Sequence, residues 1–185
     1  VDPAVYEMID FAKTYSEKSQ GAWDITTGVI TDLWGIGTDN QRIPSNEEIT
    51  AAESLVNYKD ILLRPEDHSV KLAKAGMSID LGGIAKGYAV DEVRAIFAKH
   101  HIENGLINLG ASSMYALGSN AKGGPWRIGI KHPRNDDKDT YLGIVAVSNE
   151  NISTSGDYER FFEENGVRYH HIFDPKTGQI GRAHV

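Results

Sequence analysis

Paired glycines stand between an acidic residue and a lysine in the segment IDLGGIAKGY, which spans positions 79–88. Two glycines ahead of a helix allow close approach to the backbone, and the free N–H groups of a helix start favour a phosphate. Lys86 can reach the same anion. The segment therefore predicts an anion-binding turn, although it has neither P-loop nor GxGxxG spacing. A purely structural tight turn is the alternative, because glycine is the usual residue for such turns.

Hydroxyl groups and histidines are concentrated in two later segments, STSGDY at 153–158 and HHIFDPKTG at 170–178. Their side chains and backbone can converge on a polar pocket. Two ordinary turns are the alternative, because Asp-Pro-Lys-Thr-Gly is favourable turn chemistry by itself. A Ser/His/Asp triad can also be drawn from these residues, but the sequence shows neither a nucleophile elbow nor an oxyanion hole.

A third segment, GAWDIT at 21–26, places an acidic residue beside an aromatic one. Asp24 can hydrogen-bond to a purine on which Trp23 stacks. Trp23 equally fits a hydrophobic core, and Asp24 equally fits a cap after a helix-ending glycine. Taken alone, the local pattern favours the structural interpretation.

Two helices are predicted ahead of the glycine turn. The first begins at the Asp2-Pro3 pair, an N-cap followed by a first-turn proline, and it ends near Gly21. The second begins with a capping box formed by Ser45 and Glu48. Between them, residues 23–37 follow no clear period, and we predict a packed loop with short extended pieces.

The rest of the pattern predicts strands around one long helix. A turn cluster at 65–68 joins a hairpin, and the glycine turn joins a short strand to a helix that ends near His100. Because most links between strands are too short for parallel crossovers, we predict an α+β fold with mainly antiparallel sheets and flanking helices. The predicted strands are 61–64, 69–72, 79–81, 106–109, 114–117, 126–130, 142–147 and 169–173.

Composition narrows the possible classes of function. A chain of 185 residues with 40% hydrophobic residues can bury one sizeable core, so its length predicts one compact domain or two small lobes. The formal net charge of -7 argues against a nucleic-acid partner, because phosphate contacts need clustered Lys and Arg. The sequence has no cysteine, which excludes disulfides, thiolate catalysis and cysteine-ligated zinc.

The three segments that could carry chemistry belong to a series of five sequence blocks, which follow one another along the chain. The sequence resembles the ApbE family of FAD:protein FMN transferases in GAWDITTGVITDLWGIG (21–37), IDLGGIAKGYAVDEV (79–93), WRIGIKHPR (126–134), ISTSGDYERFF (152–162) and RYHHIFDPKTG (168–178). The resemblance implies an ApbE-like, T-fold-like architecture. It also implies that residues 1–185 form a single ApbE-like FAD-binding domain, which we expect to be truncated at both ends relative to the family.

The resemblance implies a phosphotransfer reaction on FAD. Such enzymes cleave FAD at its pyrophosphate with Mg²⁺, release AMP, and esterify FMN to a threonine of a partner, a respiratory or electron-transfer flavoprotein. Family members are commonly exported and lipid-anchored, so we expect an extracytoplasmic location at the membrane. Two alternatives use the same site: a FAD-binding module without catalysis, and a Mg²⁺-dependent FAD pyrophosphatase that yields FMN and AMP.

The resemblance also implies roles for individual residues. Gly83 matches a position whose backbone carbonyl binds Mg²⁺. His171 matches a histidine that serves as acid or base, a role for which His170 is less suited. We expect Lys86 to take part in catalysis by stabilising charge on the phosphoryl oxygens. The expected cofactor-binding residues are Ala22, Trp23, Asp24, Asp80, Lys86, Ser155 and Phe173.

The sequence departs from the family pattern at several points. Gly110-Ala111-Ser112 replaces a turn of two glycines and a polar residue, and we expect this change to alter flavin placement. Ile180 stands where the family has a proline. In family members, the remaining Mg²⁺ ligands come from a segment after the matched blocks, so we expect weak Mg²⁺ binding and low activity from residues 1–185.

Overall fold

A computed structural model describes residues 1–134 and 140–181, which fall into two compact units. Unit one contains Val1–Ile84 and the stretch that begins at Glu159, and unit two contains Ala85–Tyr158. The helices are α1 (Pro3–Lys18), α2 (Gly28–Trp34), α3 (Asn46–Glu53) and α4 (Ala85–Lys99), with a short 3-10 helix at Tyr58–Asp60. The strands are β1 (Ile61–Arg64), β2 (Ser69–Leu72), β3 (Gly105–Leu109), β4 (Ser113–Leu117), β5 (Trp126–Lys131), β6 (Tyr141–Val147), β7 (Glu150–Ser153), β8 (Phe161–Glu164) and β9 (Val167–His170).

Each of these strands pairs with an antiparallel neighbour, as the short links predict. In unit one, β1 pairs with β2 and β8 pairs with β9. In unit two, β4 lies between β3 and β7, and β5 pairs with β6. The prediction of an α+β fold with mainly antiparallel sheets is confirmed.

Helix α1 begins where the sequence predicts, because the Asp2 side chain accepts a hydrogen bond at 2.9 Å from a backbone N–H two residues further on. Its buried Ile9 and Ala12 form one core cluster of unit one with Ile25 and Ile61. Within residues 1–134 and 140–181, no helix combines the length and the apolar character needed to traverse a bilayer.

Helix α2 shows that the predicted loop over residues 23–37 is wrong at residues 28–34. The helix has seven residues and begins with a glycine, and its N-cap Thr27 makes no side-chain capping bond, so neither period nor capping marks it in the sequence. Tertiary packing stabilises it instead, since Ile30 and Trp34 lie about one turn apart and are both buried. Gly35 ends the helix at a φ of 59°, a left-handed conformation that glycine adopts without strain.

The strand predicted at 79–81 does not form. Its neighbour turns into α2 directly after Thr27, so the parallel contact is limited to one bridge between Thr27 and Ser78. One more hydrogen bond follows, from the Asp80 N–H to the Ile25 carbonyl at 2.8 Å. The segment ahead of the glycine turn is therefore extended but has no continuous ladder.

Strand β9 ends at His170, so the strand predicted at 169–173 is wrong at its C-terminal end. Phe173 instead forms an isolated antiparallel bridge with Ile180. Neither β7 nor β8 is among the predicted strands. The Asn165-Gly166 pair between β8 and β9 has φ values of 52° and 77°. Asn-Gly is a strong hairpin signal, but the strand predictions do not use it.

Helix α4 packs against β3 and β4 in unit two. Its buried Val90 belongs to a cluster with Ile107 of β3 and Tyr115 of β4, which are register partners on one face of the sheet. Ala116 of β4 points to the opposite face, because side chains alternate along a strand, and it packs there with Ile128 and other apolar residues. The sheet of β3, β4 and β7 is therefore covered on both faces around β4.

The predicted capping box of α3 is confirmed and implies a pH effect. The Ser45 hydroxyl accepts from the Glu48 N–H at 3.2 Å, and the Glu48 carboxylate accepts from the Ser45 N–H at 2.9 Å and from Arg42 at 2.7 and 2.9 Å. Hydrogen bonding, with Arg42 first, lowers the pKa of Glu48 from 4.5 to about 2. Because this pKa is lower than in the unfolded chain, the stabilisation is present above pH 4.5 and is lost as the pH falls towards 2.

We expect Arg42→Gln to raise the pKa of Glu48 towards its ordinary value, because the variant removes the strongest hydrogen-bonding partner of the carboxylate. An NMR titration of the Glu48 carboxyl group measures the change. Arg64→Gln is a matched control, since Arg64 pairs with Asp67 in the β1–β2 hairpin and should leave the Glu48 titration unchanged. An unshifted Glu48 pKa in Arg42→Gln would contradict the prediction.

Candidate functional site

The Asp24 carboxylate is buried and holds the loop ahead of α2. Its Oδ1 accepts from the Thr26 N–H at 2.8 Å and from the Thr26 hydroxyl at 2.7 Å, and its Oδ2 accepts from the Tyr58 N–H at 2.8 Å. The Thr26 hydroxyl oxygen in turn accepts from the Asn57 N–H at 2.8 Å. Both carboxylate oxygens are therefore used within the protein, and a contact between Asp24 and FAD stays a prediction.

Trp23 lies beside the glycine turn, so the structure brings together two predicted site segments that are far apart in the sequence. The indole Nε1 is 3.2 Å from the place that a Cβ on Gly83 would take. Trp23 is half-buried against the core cluster around Ile25, and Ala22 is exposed next to it. Glycine at position 83 therefore permits the close approach of the indole ring.

Asp80 fixes the conformation of the glycine turn. Its Oδ1 accepts from the Gly82 N–H at 2.7 Å, and its Oδ2 accepts from the Thr31 hydroxyl at 3.1 Å. These two bonds tie the turn to α2. The contact of Thr31 with the predicted site residue Asp80 could not be recognised from the sequence, because the two residues are 49 positions apart and no local pattern marks the contact.

The two adjacent histidines have different environments. His170 is buried, and its Nδ1 accepts from the Ile172 N–H at 3.3 Å. His171 is half-buried, and its Nδ1 lies 3.3 Å from the Arg160 carbonyl oxygen. Since a carbonyl oxygen only accepts, this bond requires the proton on Nδ1 and leaves the basic lone pair on Nε2. The geometry is compatible with His171 as a general base.

Phe173 packs into the second core cluster of unit one. Its ring centroid is 6.1 Å from that of Trp34, with an angle of 34° between the rings. The next residues form the turn that their sequence predicts, since the Gly178 N–H donates to the Asp174 carbonyl at 2.9 Å. The Trp34 indole N–H donates to the Gly178 carbonyl at 3.1 Å. The ring of Phe173 has a packing role, and its FAD contact stays a prediction.

Lys86 and Ser155 lie in unit two, whereas the other predicted site residues lie in unit one. The Lys86 ammonium donates to the Ser112 hydroxyl at 2.7 Å and lies 3.5 Å from the place of a Cβ on Gly110. This hydroxyl is neutral, and Lys86 forms no ion pair with the residues that the structure describes. The positive charge of Lys86 is therefore available to an anion. Ser155 is exposed. Ser112 has a specific contact here, whereas the sequence alone marks it only as a departure from the family pattern.

The turn between β3 and β4 contains two consecutive residues with positive φ, Gly110 at 62° and Ala111 at 57°. Left-handed backbone costs a residue with a Cβ roughly 1–2 kcal/mol, whereas a glycine costs roughly 0.4–1 kcal/mol in unfolded-chain entropy. We therefore expect Ala111→Gly to raise the free energy of unfolding by roughly 0.5 kcal/mol, measured by chemical denaturation. Ala146→Gly, in strand β6, is the control and should lower it. A lower free energy of unfolding in Ala111→Gly would contradict the predicted backbone strain at Ala111.

Gly83 is the predicted Mg²⁺ ligand, through its backbone carbonyl. The residue is exposed. Among residues 1–134 and 140–181, no three His, Asp or Glu side chains are grouped so that they could hold a metal ion. Mg²⁺ commonly binds through one or two protein oxygens together with water and substrate phosphates. The Gly83 carbonyl fits such a site as a single protein ligand.

The chain belongs to the ApbE family, which it matches over residues 1–184. A FAD:protein FMN transferase of Treponema pallidum is 36% identical over 191 residues, which cover 96% of this chain and 52% of the relative. A FAD:protein FMN transferase of Klebsiella pneumoniae (strain 342) is 36% identical over 178 residues, with 96% and 54% covered. The chain therefore spans about half the length of the curated relatives that it matches.

Solved structures show the same fold. The ApbE protein of Thermotoga maritima superposes with a TM-score of 0.89 at 40% identity, over 98% of this chain and 58% of that one. The apo flavinyl transferase ApbE of Pseudomonas stutzeri superposes with a TM-score of 0.80 at 33% identity, over 97% and 54%. Both the family resemblance and the ApbE-like architecture predicted from the sequence are confirmed.

Proposed function

We propose that this chain is the FAD-handling part of an FAD:protein FMN transferase. The observation that carries the proposal is membership of the ApbE family, together with 36% identity to relatives of that name in two species. The proposed reaction is Mg²⁺-dependent. It cleaves the pyrophosphate of FAD, releases AMP, and joins FMN to a threonine of an acceptor, a respiratory or electron-transfer flavoprotein.

FAD binding is proposed at the glycine turn and the loop ahead of α2. Gly82 and Gly83 are exposed, so a ligand can reach their backbone, and the indole of Trp23 beside them offers an aromatic surface for a flavin or adenine ring. Asp80 supports the binding by holding the turn in one conformation. The other proposed FAD contacts are Ala22, Asp24, Lys86, Ser155 and Phe173.

Cleavage of the pyrophosphate develops negative charge on phosphoryl oxygens, which the Lys86 ammonium is proposed to stabilise. Bound Mg²⁺ would supply Lewis-acid stabilisation of the same charge, and Gly83 is proposed to hold it through its carbonyl. His171 is proposed to accept the threonine proton on Nε2. The threonine oxygen then bonds to the FMN phosphorus, while the P–O bond to AMP breaks and AMP leaves with the electron pair.

The cellular location is proposed from the family resemblance alone. We propose an extracytoplasmic protein that is attached to the membrane through a lipid. Fractionation of cells that express the natural gene tests this, and recovery of the protein in the soluble cytosolic fraction would contradict it.

Incubation with FAD, Mg²⁺ and an acceptor protein tests the proposed reaction. Flavin fluorescence that stays on the denatured acceptor, together with released AMP, supports the transferase. An acceptor with valine in place of its threonine is the matched control and should stay unlabelled. AMP without covalent flavin indicates a pyrophosphatase, and FAD binding without either product indicates a binding module. A chain that neither binds nor cleaves FAD would contradict all three.

A further inference from the structure

Two cationic side chains at the end of β5 hold the segment that follows β7. Arg134 donates two hydrogen bonds to the Asp157 carboxylate, at 2.8 and 2.7 Å. The Lys131 ammonium lies 5.4 Å from the ring centroid of Tyr158. A bidentate Arg–carboxylate pair fixes orientation as well as distance. The side chain of Asp157 is 18% exposed, so this contact is less open to solvent than an ordinary surface ion pair.

The residues just ahead of Asp157 bind the turn between β3 and β4. The Ser153 hydroxyl donates to the Ser112 carbonyl at 3.2 Å, and the Thr154 N–H donates to the same carbonyl at 3.0 Å. The Thr154 hydroxyl donates to the Ala111 carbonyl at 3.3 Å. These bonds continue the pairing of β7 with β4 beyond the ends of both strands. They hold a turn whose backbone is strained at Ala111.

Ser112 connects this turn to Lys86. Its carbonyl accepts the bonds from Ser153 and Thr154, and its hydroxyl accepts the bond from the Lys86 ammonium at 2.7 Å. A shift of the segment after β7 therefore moves Ser112, and with it the partner of the ammonium. Arg134 is therefore linked to Lys86 within unit two by polar contacts at Asp157 and at Ser112, and by the three peptide bonds that join Thr154 to Asp157.

We propose that Arg134 is a positioning residue for Lys86. Its ion pair with Asp157 fixes the 153–157 segment, that segment fixes Ser112, and the Ser112 hydroxyl fixes the ammonium. The inference deepens the proposed function and rests on it for its catalytic meaning, because there Lys86 stabilises the phosphoryl oxygens. Arg134 acts through other residues and needs no contact with FAD.

The alternative is that the Arg134–Asp157 pair has no functional importance, because most exposed ion pairs contribute little to stability. The chain offers a matched comparison for that explanation. Arg42 and Glu48 also form a bidentate pair, with side chains that are 46% and 44% exposed, but they lie at the start of α3 in unit one. Removing either arginine deletes the same kind of contact, and only Arg134 is connected to Lys86.

The first test measures the position of Lys86 without any need for FAD. Trace acylation of the intact chain, followed by mass spectrometry, gives the rate at which each lysine reacts, with the exposed Lys99 as internal reference. We expect Arg134→Gln and Asp157→Asn to raise the relative rate of Lys86 about threefold or more, a change at the lower end of the range for residues coupled through shared partners. Arg42→Gln should leave it unchanged. Equal Lys86 rates in Arg134→Gln and Arg42→Gln would overturn the proposal.

Two further variants separate positioning from a general loss of structure. Arg134→Lys keeps the charge and should restore part of the wild-type rate. The double variant Arg134→Asp with Asp157→Arg reverses the pair and should restore more than either single change. Unchanged thermal midpoints exclude unfolding as the cause. A double variant no better than its single parents would overturn the role of the pair.

The second test uses FMN transfer. We expect Arg134→Gln to lower kcat about tenfold with little change in the KM for FAD, because Lys86 acts on charge that develops in the transition state. Absence of transfer by the wild-type chain would argue against the proposed function, while the acylation result still decides the positioning role. If the wild type is active and Arg134→Gln transfers FMN at the normal rate, the positioning role is contradicted and the proposed function is not.

Discussion

Replacing His171 with alanine is expected to lower the rate of FMN transfer by about 100-fold or more, the usual loss when a general base is removed. The side chain is half-buried, and its Nδ1 contacts the Arg160 carbonyl, so the proposed base is Nε2. The ring is not part of the buried core, and we therefore expect folding and FAD affinity to change little. Transfer rates at saturating FAD and FAD affinity by fluorescence quenching measure the two effects separately.

Two variants serve as controls for His171. His100→Ala removes an exposed imidazole at the end of α4 and should leave the rate unchanged. His171→Asn keeps a donor that can reach the Arg160 carbonyl but has no basic nitrogen, so it should be nearly as slow as the alanine variant. A fast His171→Asn enzyme would show that the residue orients the backbone and accepts no proton.

Replacing Trp34 with alanine is expected to lower the free energy of unfolding by about 3–5 kcal/mol, the usual cost of emptying a large buried aromatic site. The side chain is 2% exposed. It contacts Tyr169 and Phe173, at centroid distances of 5.7 and 6.1 Å, and it donates to the Gly178 carbonyl. The variant therefore loses packing of α2 against β9 and the stretch that follows it, and chemical denaturation measures the loss.

Two substitutions separate the parts of the Trp34 contribution. Trp34→Phe keeps an aromatic ring but removes the indole N–H, so we expect a loss of about 1–3 kcal/mol from the unsatisfied Gly178 carbonyl and the smaller ring. Phe11→Ala removes a ring that is 54% exposed on α1 and should change stability by less than about 0.5 kcal/mol. If Trp34→Ala were no worse than Phe11→Ala, the packing described for α2 would be wrong.

Features set by local residues could be predicted from the sequence. The Asp2 cap, the Ser45–Glu48 capping box and the β1–β2 hairpin each depend on a few adjacent residues, and each is present. Helix α2 could not be predicted, because its seven residues have little intrinsic preference for a helix and are held by burial of Ile30 and Trp34. The absence of a strand at 79–81 could not be predicted either, because it depends on a distant segment. That segment pairs only through Thr27 and then turns into α2.

The candidate site shows the same division. The glycine turn is visible in the sequence because its chemistry lies in consecutive residues, whereas the choice of His171 depends on the family resemblance. The contacts of Thr31 with Asp80 and of Ser112 with Lys86 join residues that are distant in the chain, and a single sequence carries no record of such pairing. For Asp24, the local pattern favours a structural role over a contact with a purine, and its carboxylate does hold the loop ahead of α2.

The contact of Trp34 with Gly178 also constrains the order of events at the ribosome. The two residues are 144 positions apart, and all of Ala85–Tyr158 is translated between them. The residues of α2 are therefore translated long before the residues that cover the Trp34 indole exist. Contacts between such distant positions form slowly, and apolar surface that stays uncovered during the delay makes a folding chain prone to aggregation.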